Sequence, residues 1–308
     1  MTIPLPWLTS WRASNPSRAE RDRNRDARAV ARASRPCESC NRHTGETPVP
    51  LPPRVTTNTI LMNLRDTRDC ADQMIEAARE LGAAVERFKF IPPVTYVYNP
   101  LDYAWRAHQT YLRRFANSRK RVVFLGMNPG PFGMVQTGVP FGEVNAVRTW
   151  MQIQAAIGKP RREHPKRRVE GFDCPRSEVS GKRLWGLFAG CFGSAEGFFS
   201  EHFVVNYCPL AFIDKDGRNL TPDKLSARQT APLFAACDRH LRQVVTILLP
   251  EWLVGIGDFA EKRARLLIEE MAGLKIGRIL HPSPASPAAN KDWARKATVE
   301  LKALGIWS

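Results

Sequence analysis

The chain has 308 residues, 43% of them hydrophobic, with eight tryptophans, a net charge of +16 and a pI near 10.0. That length and apolar content support a real hydrophobic core and exclude a wholly disordered chain. No run approaches the roughly 18 consecutive apolar residues of a membrane span, and the opening MTIPLPWLTSW lacks the basic start and apolar core of a secretion signal.

Seven cysteines, an odd number and mostly scattered, fit reduced thiols better than a disulfide framework. The expected compartment is the cytoplasm, at the nucleoid, in a bacterium, and the nucleus in a eukaryote. A basic balance suits a phosphate-bearing partner, because each neutralised phosphate releases condensed counterions. Residues 1 to 61 hold ten arginines and five acids, so +5 of the charge lies there and +11 beyond. The globular part is basic in its own right.

Residues 1 to 61 read as a disordered extension rich in arginine and proline, or as sequence upstream of a start at Met62. SRAERDRNRDARAVARASR has no lysine and little apolar content, and ETPVPLPPRV is an extended linker. Residues 62 to 308 are expected to form one domain. Ala71, Met74, Ile75, Ala78, Leu81 and Val85 recur at helical spacing and predict an amphipathic helix to about Phe88. TYVYNPLDYAWRAHQTYLRRF predicts a short extended piece and then a helix from about Pro100. Four apolar runs follow: Arg121–Gly126, His202–Tyr207, Trp252–Gly257 and Gly277–His281. Helical segments separate them, notably Asp258–Met271, where Ala264, Leu267, Ile268 and Met271 share a face and Gly273 is the stop. A last helix after Asn290 is expected to bury Ala294, Ala297, Leu301 and Leu304. Apolar runs alternating with helices predict a parallel sheet covered on both faces, in a single α/β domain.

In open α/β sheets, ligands bind outside the carboxyl ends of the strands. The four runs end in Asn128, Asn206, the pair Gly255 and Gly257, and His281. They supply no acid, lysine or serine nucleophile, which limits the chemistry. A strand-end Asn often satisfies its own backbone, and a His before Pro is often structural, so the shared placement of the three carries the functional reading.

GMNPGPFGMVQTGVPFGEV and HPSPASPAANKDW resemble the two active-site motifs of the single-strand-selective monofunctional uracil-DNA glycosylases. YNPLDYAW, CPRSEVSGKRLWG, VVNYCPL and GRNLTP are similar to that family in the same order, from about Met62 to the C-terminus. The resemblance implies a three-layer α/β/α fold around a four-stranded parallel sheet. It implies hydrolysis of the N-glycosidic bond of uracil, and of 5-substituted uracils such as 5-hydroxymethyluracil, initiating base excision repair. Single-stranded and duplex DNA would be the partners of a monomer that needs no cofactor and no metal.

The resemblance also distributes roles. Asn206 would read uracil, accepting from N3–H and donating to O4, and would reject cytosine, which presents the reverse order. Phe141 would stack on the base. His281 would stabilise the anion developing at O2 as a neutral imidazole. Asn128 would hold the attacking water, which an amide can orient but cannot deprotonate. Backbone amides of Met127 and Met134 would complete the site, and Gly130 would leave room for a C5 substituent. Ser283, Pro284, Ala285 and Ser286 would meet the DNA, Ser283 at a phosphate, with Lys182 a further contact. The segment after HPSP often carries an arginine wedge in the family; here Ala285 and Ser286 stand there, so a stronger bias to single strands or mismatches is expected. No lysine is placed to attack C1′, so the product would be an abasic site in an intact strand.

Other readings weigh less. Lys159–Arg168 is the richest basic loop and reads equally as a phosphate contact or a solvated surface. WLVGIGDFAEKRA imitates a dinucleotide fingerprint, but close helix–strand packing explains its glycines as well. Cys37, Cys40 and His43 form half a metal site by spacing, with Cys174 and Cys191 as conceivable further ligands. A catalytically silent lesion-binding protein of the same fold is the rival from a different class.

Overall fold

The structure, a computed structural model, describes residues 57–266, 271 and 273–308. The expected disordered extension falls largely outside the described residues, as do Cys37, Cys40 and His43, and Leu267 and Ile268. In chain order the elements are α1 (Thr57–Val85), β1 (Tyr96–Tyr98), α2 (Pro100–Tyr103), α3 (Trp105–Phe115), β2 (Val122–Gly126) and α4 (Met134–Thr137). Then come α5 (Val179–Phe192), α6 (Ala195–Phe199), β3 (His202–Asn206), β4 (Ala211–Ile213) and β5 (Asn219–Leu220). The last are α7 (Ala227–Leu248), β6 (Trp252–Ile256), α8 (Asp258–Arg265), β7 (Lys275–Ile279) and α9 (Trp293–Ala303). No described helix is long and apolar enough to cross a membrane.

The expected parallel sheet is present, four strands in the order β3-β2-β6-β7. β2 and β3 are buried at every position, as strands covered on both faces must be. Alternation along them defines the two faces. Phe124 and His202 stack on one side, where Phe188 of α5 and Phe198 of α6 meet them. Phe203, one position on, faces the other side and stacks on Tyr111 of α3 at 5.2 Å. This is the three-layer arrangement. A second, antiparallel sheet joins β1, β4 and β5. Its strands are two or three residues long, too short to show a period in sequence.

Differences from expectation have local causes. The six apolar residues expected on the first helix are all buried, but α1 begins at Thr57 and crosses Met62. It ends at Val85, where the chain tightens and Phe88 N bonds back to Val85 O. The helix expected from Pro100 is two, because the chain kinks at Ala104 where the Gly138 backbone packs against its carbonyl. Asn99 starts the first of them, its side chain accepting from Leu101 N with Pro100 at the first position. The fourth strand runs Lys275–Ile279, so His281 lies two residues beyond it. In α9, Ala294 is exposed; Trp293, Ala297 and Leu301 form the buried face. The indole of Trp293 turns inward and donates to Leu280 O at 2.7 Å, and that places the helix.

Candidate active site

In the β2–β3 register Gly126 lies beside Asn206, at the carboxyl edge of the sheet. A cavity of about 390 Å³ opens at this edge. Of the expected residues, Met127, Asn128, Gly130, Phe141, His281, Ser283, Pro284 and Ala285 line it. Asn206 and Met134 lie just behind that wall, both buried, and Ser286 and Lys182 lie outside it. Lys182 is exposed on α5.

Asn206 is 6% exposed, and its Nδ2 lies 3.3 Å from Met134 Sδ. Its Oδ1 is buried and has no hydrogen-bond partner. A side chain at Gly126 would run into both that oxygen and the Phe141 ring, so the glycine is what lets the amide and the ring come together. A buried acceptor that stays unpaired is destabilising by about 1–3 kcal/mol, and this one, next to the cavity wall, is within reach of a donor on a bound ligand.

Phe141 sits at φ 52°, a left-handed conformation unusual for a non-glycine residue. Its carbonyl is pinned by Trp185 Nε1 at 3.0 Å and by Glu143 N at 2.7 Å. Gly181 of α5 packs so tightly on that carbonyl that a Cβ there would overlap it. The surroundings thus over-determine the strain, as is usual at functional positions. The ring lies 6.0 Å from the His281 imidazole, tilted by 44°.

His281 accepts a hydrogen bond at Nδ1 from Ser283 N, 3.1 Å away. That bond assigns the imidazole proton to Nε2, the nitrogen left to serve as donor. Burial lowers the pKa to about 4, so the ring is neutral at physiological pH. Gly257, at φ 92°, makes space for it: a Cβ there would lie 3.0 Å from the His281 Cβ. Gly255 admits the backbone of Glu261 as α8 crosses β6. Packing therefore accounts for the glycines of the dinucleotide-like stretch. Asn128 is oriented by Nδ2 donating to Leu210 O at 3.1 Å, which turns Oδ1 into an acceptor for the cavity.

The 282–290 loop is stiffened by its own bonds. Ala285 N donates to Ser283 Oγ at 3.2 Å and Ser286 N to Ser283 O at 3.1 Å. Arg183 of α5 donates to Pro282 O and Asn290 Oδ1, each at 3.0 Å, and Asn290 Nδ2 donates to Pro284 O at 2.9 Å.

Glu178, Ser180, Asn219, Thr221 and Lys224 also line the cavity. The residues that carry the family likeness, CPRSEVSGKRLWG and GRNLTP, contain four of them, yet an acid before a helix reads in sequence as an end cap. Glu178 is the notable one: burial raises its pKa, with the Phe132 and Ser180 backbone amides pulling the other way and Glu143 adding to the rise. The Lys159–Arg168 loop is tied down in part. Arg167 Nε donates to Gly217 O at 2.6 Å, Lys159 bonds Val169 O, and Arg161, Arg162, Lys166 and Arg168 are exposed. Cys174 is buried and Cys191 exposed.

Residues 114–302 match the model of the uracil DNA glycosylase superfamily. The chain is 47% identical over 243 residues to the single-strand selective monofunctional uracil-DNA glycosylase of Rattus norvegicus, covering 78% of this chain and 86% of that protein. The corresponding proteins of Mus musculus and Bos taurus are 47% and 45% identical, over 86% and 88% of their lengths. The crystal structure of SMUG2 from Pedobacter heparinus superposes with a TM-score of 0.51 at 19% identity, over 74% of this chain and 98% of that one, a likeness of fold. The chain belongs to the uracil-DNA glycosylase superfamily and, within it, to the single-strand-selective monofunctional uracil-DNA glycosylases, hydrolases of N-glycosyl bonds.

Proposed function

We propose that residues 62 to 308 hydrolyse the N-glycosidic bond of uracil and of 5-substituted uracils, including 5-hydroxymethyluracil, in single-stranded and, more slowly, duplex DNA. The observation that carries this reading is the buried, unpaired Oδ1 of Asn206 beside its own Nδ2 donor. An acceptor and a donor side by side on one plane match N3–H and O4 of uracil; cytosine offers the reverse pair. A base would leave the stack at a cost of a few kcal/mol and lie against the Phe141 ring. As the bond to C1′ lengthens, negative charge spreads onto O2, where His281 Nε2–H donates to it. Positive charge develops on the sugar, and a water accepted by Asn128 Oδ1 attacks C1′. An amide orients that water without removing its proton, so the water gives the proton up to solvent only as the C–O bond forms, and uracil departs as the anion that His281 Nε2–H stabilises.

Ser283, with Pro284, Ala285 and Ser286, supports the flanking strand, and Lys182 adds a phosphate contact. The basic balance of the chain serves the same partner. The protein acts as a monomer in this reading.

The test is incubation with a single strand carrying one uracil, with and without subsequent alkali. Scission only after alkali is expected, because hydrolysis leaves an abasic site and an intact backbone. An undamaged strand after prolonged incubation, with tight binding, would instead identify a lesion-binding protein without activity.

A further inference from the structure

Gly130 and Gly133 do not face empty space. A Cβ at Gly130 would overlap the Glu178 carboxyl group, and one at Gly133 would lie 3.0 Å from Glu178 Cγ. The loop lacks two side chains where this one acid enters it. Glu178 lines the cavity, and no lysine or arginine of the described residues forms an ion pair with it. Glu143 accepts from Ser177 Oγ at 2.9 Å and Ala146 N at 2.9 Å, and Glu178 from the Phe132 and Ser180 backbone amides, two of the roughly four lone-pair sites a carboxylate offers.

The ring of a bound pyrimidine can be oriented against this carboxyl group. Asn206 Nδ2 is the side that donates to O4, and Met134 marks that side. His281 is at O2, across the ring. C5 adjoins C4 on the edge away from O2, so it points past Met134 to the 130–134 loop and the acid behind it.

We propose that Glu178 is a specificity-determining residue that accepts a hydrogen bond from a hydroxyl group on the C5 substituent. This rests on the uracil reading of the site. A hydroxymethyl group offers an O–H to the carboxylate. A methyl group in the same place, as in thymine, strips water from the carboxylate and returns nothing. A site built around a polar group discriminates against the analogue that dries its remaining lone pairs without a donor in return. One acid thus explains both the admission of 5-hydroxymethyluracil and the exclusion of thymine, the commonest C5-substituted base in DNA.

The experiment compares wild type with Glu178→Gln and Glu178→Leu on single strands carrying uracil, 5-hydroxymethyluracil or thymine, reading kcat/KM and the melting temperature of each variant. Glutamine retains an acceptor oxygen and is expected to keep the ratio of hydroxymethyluracil to uracil within about threefold of wild type. Leucine is expected to lower that ratio at least tenfold, roughly the worth of one such bond. A ratio that is unchanged in Glu178→Leu overturns the proposal and leaves the acid as a support for the loop. Wild-type protein that cleaves uracil but not hydroxymethyluracil overturns it as well. Wild-type protein that cleaves neither overturns the underlying reading instead. Because the readout is a ratio within one variant, a general loss of stability does not imitate it.

Discussion

Asn206, Phe141 and His281 are each held by a different device. A glycine at 126 admits the first two, a strained backbone pinned by Trp185 aims the ring, and the Ser283 amide selects the imidazole tautomer. The last has a measurable consequence. With the pKa lowered by burial to about 4, His281 is neutral near pH 7, and under the proposed function it would donate as a neutral imidazole, so that activity would not depend on a protonated ring. The pH profile of kcat on single-stranded uracil DNA is therefore expected to be flat between about pH 6 and about pH 8. A limb falling with rising pH near the ordinary histidine value would contradict this. His281→Leu is expected to lower kcat about 10²–10³-fold with a smaller change in KM, since the donor acts on charge that appears only in the transition state. In sequence, Asn206 and His281 stand out because they lie at or just beyond strand ends, and Phe141 only because it falls within a long family-like motif, fifteen positions after β2 has ended. Glu178 was not singled out, because its place in the cavity wall depends on a loop nearly fifty positions earlier leaving two side chains out.

At the scale of elements, the 282–290 loop depends on a partner from α5. Arg183 joins the two ends of the loop by bonding Pro282 and Asn290, and Asn290 returns a bond to Pro284. The 282–290 loop carries no arginine, so under the proposed function its stiffness is what would hold a strand apart. Arg183→Ala is expected to reduce activity on duplex uracil DNA roughly tenfold more than on single strands, through misplacement of the loop rather than loss of a reacting group. Equal losses on both substrates in parallel assays would assign Arg183 to general stability. The sequence pattern located β2, β3 and β6 to within a residue, because each is a continuous apolar run covered on both faces. It misplaced β7 by two residues, because that strand is only partly buried, with Lys275 and Arg278 exposed, and so lacks a continuous apolar run. It also assigned Ala294 to the core, where helical spacing alone could not show that Trp293 takes the inward position.

Taken as a whole, the molecule holds three buried histidines and a half-buried one, His281, uncharged near pH 7. His108, His202, His240 and His281 all have pKa values lowered to about 4, chiefly by burial. The unfolded chain takes up protons on these rings as pH falls below about 6.5, while the folded chain refuses them until about pH 4. Their contribution to stability is therefore neutral above that window and becomes unfavourable as pH falls through it. Calorimetry is expected to show the melting temperature dropping steadily between about pH 6.5 and about pH 4. His240, whose Nδ1 has no partner, is the ring to replace. His240→Leu is expected to reduce the pH slope of unfolding free energy by up to about 1.4 kcal/mol per pH unit, and an unaltered slope would refute the assignment. Apolar periodicity, strand length and motif order are local properties, so the chain by itself determined the parallel sheet, its helical cover, the family likeness and the two amides and imidazole at the carboxyl edge. Which buried atom is left unpaired, which tautomer a ring adopts and which distant acid fills the space at Gly130 depend on contacts between residues far apart in the chain. Packing and desolvation exist only once those contacts form, and the tertiary structure alone decided them.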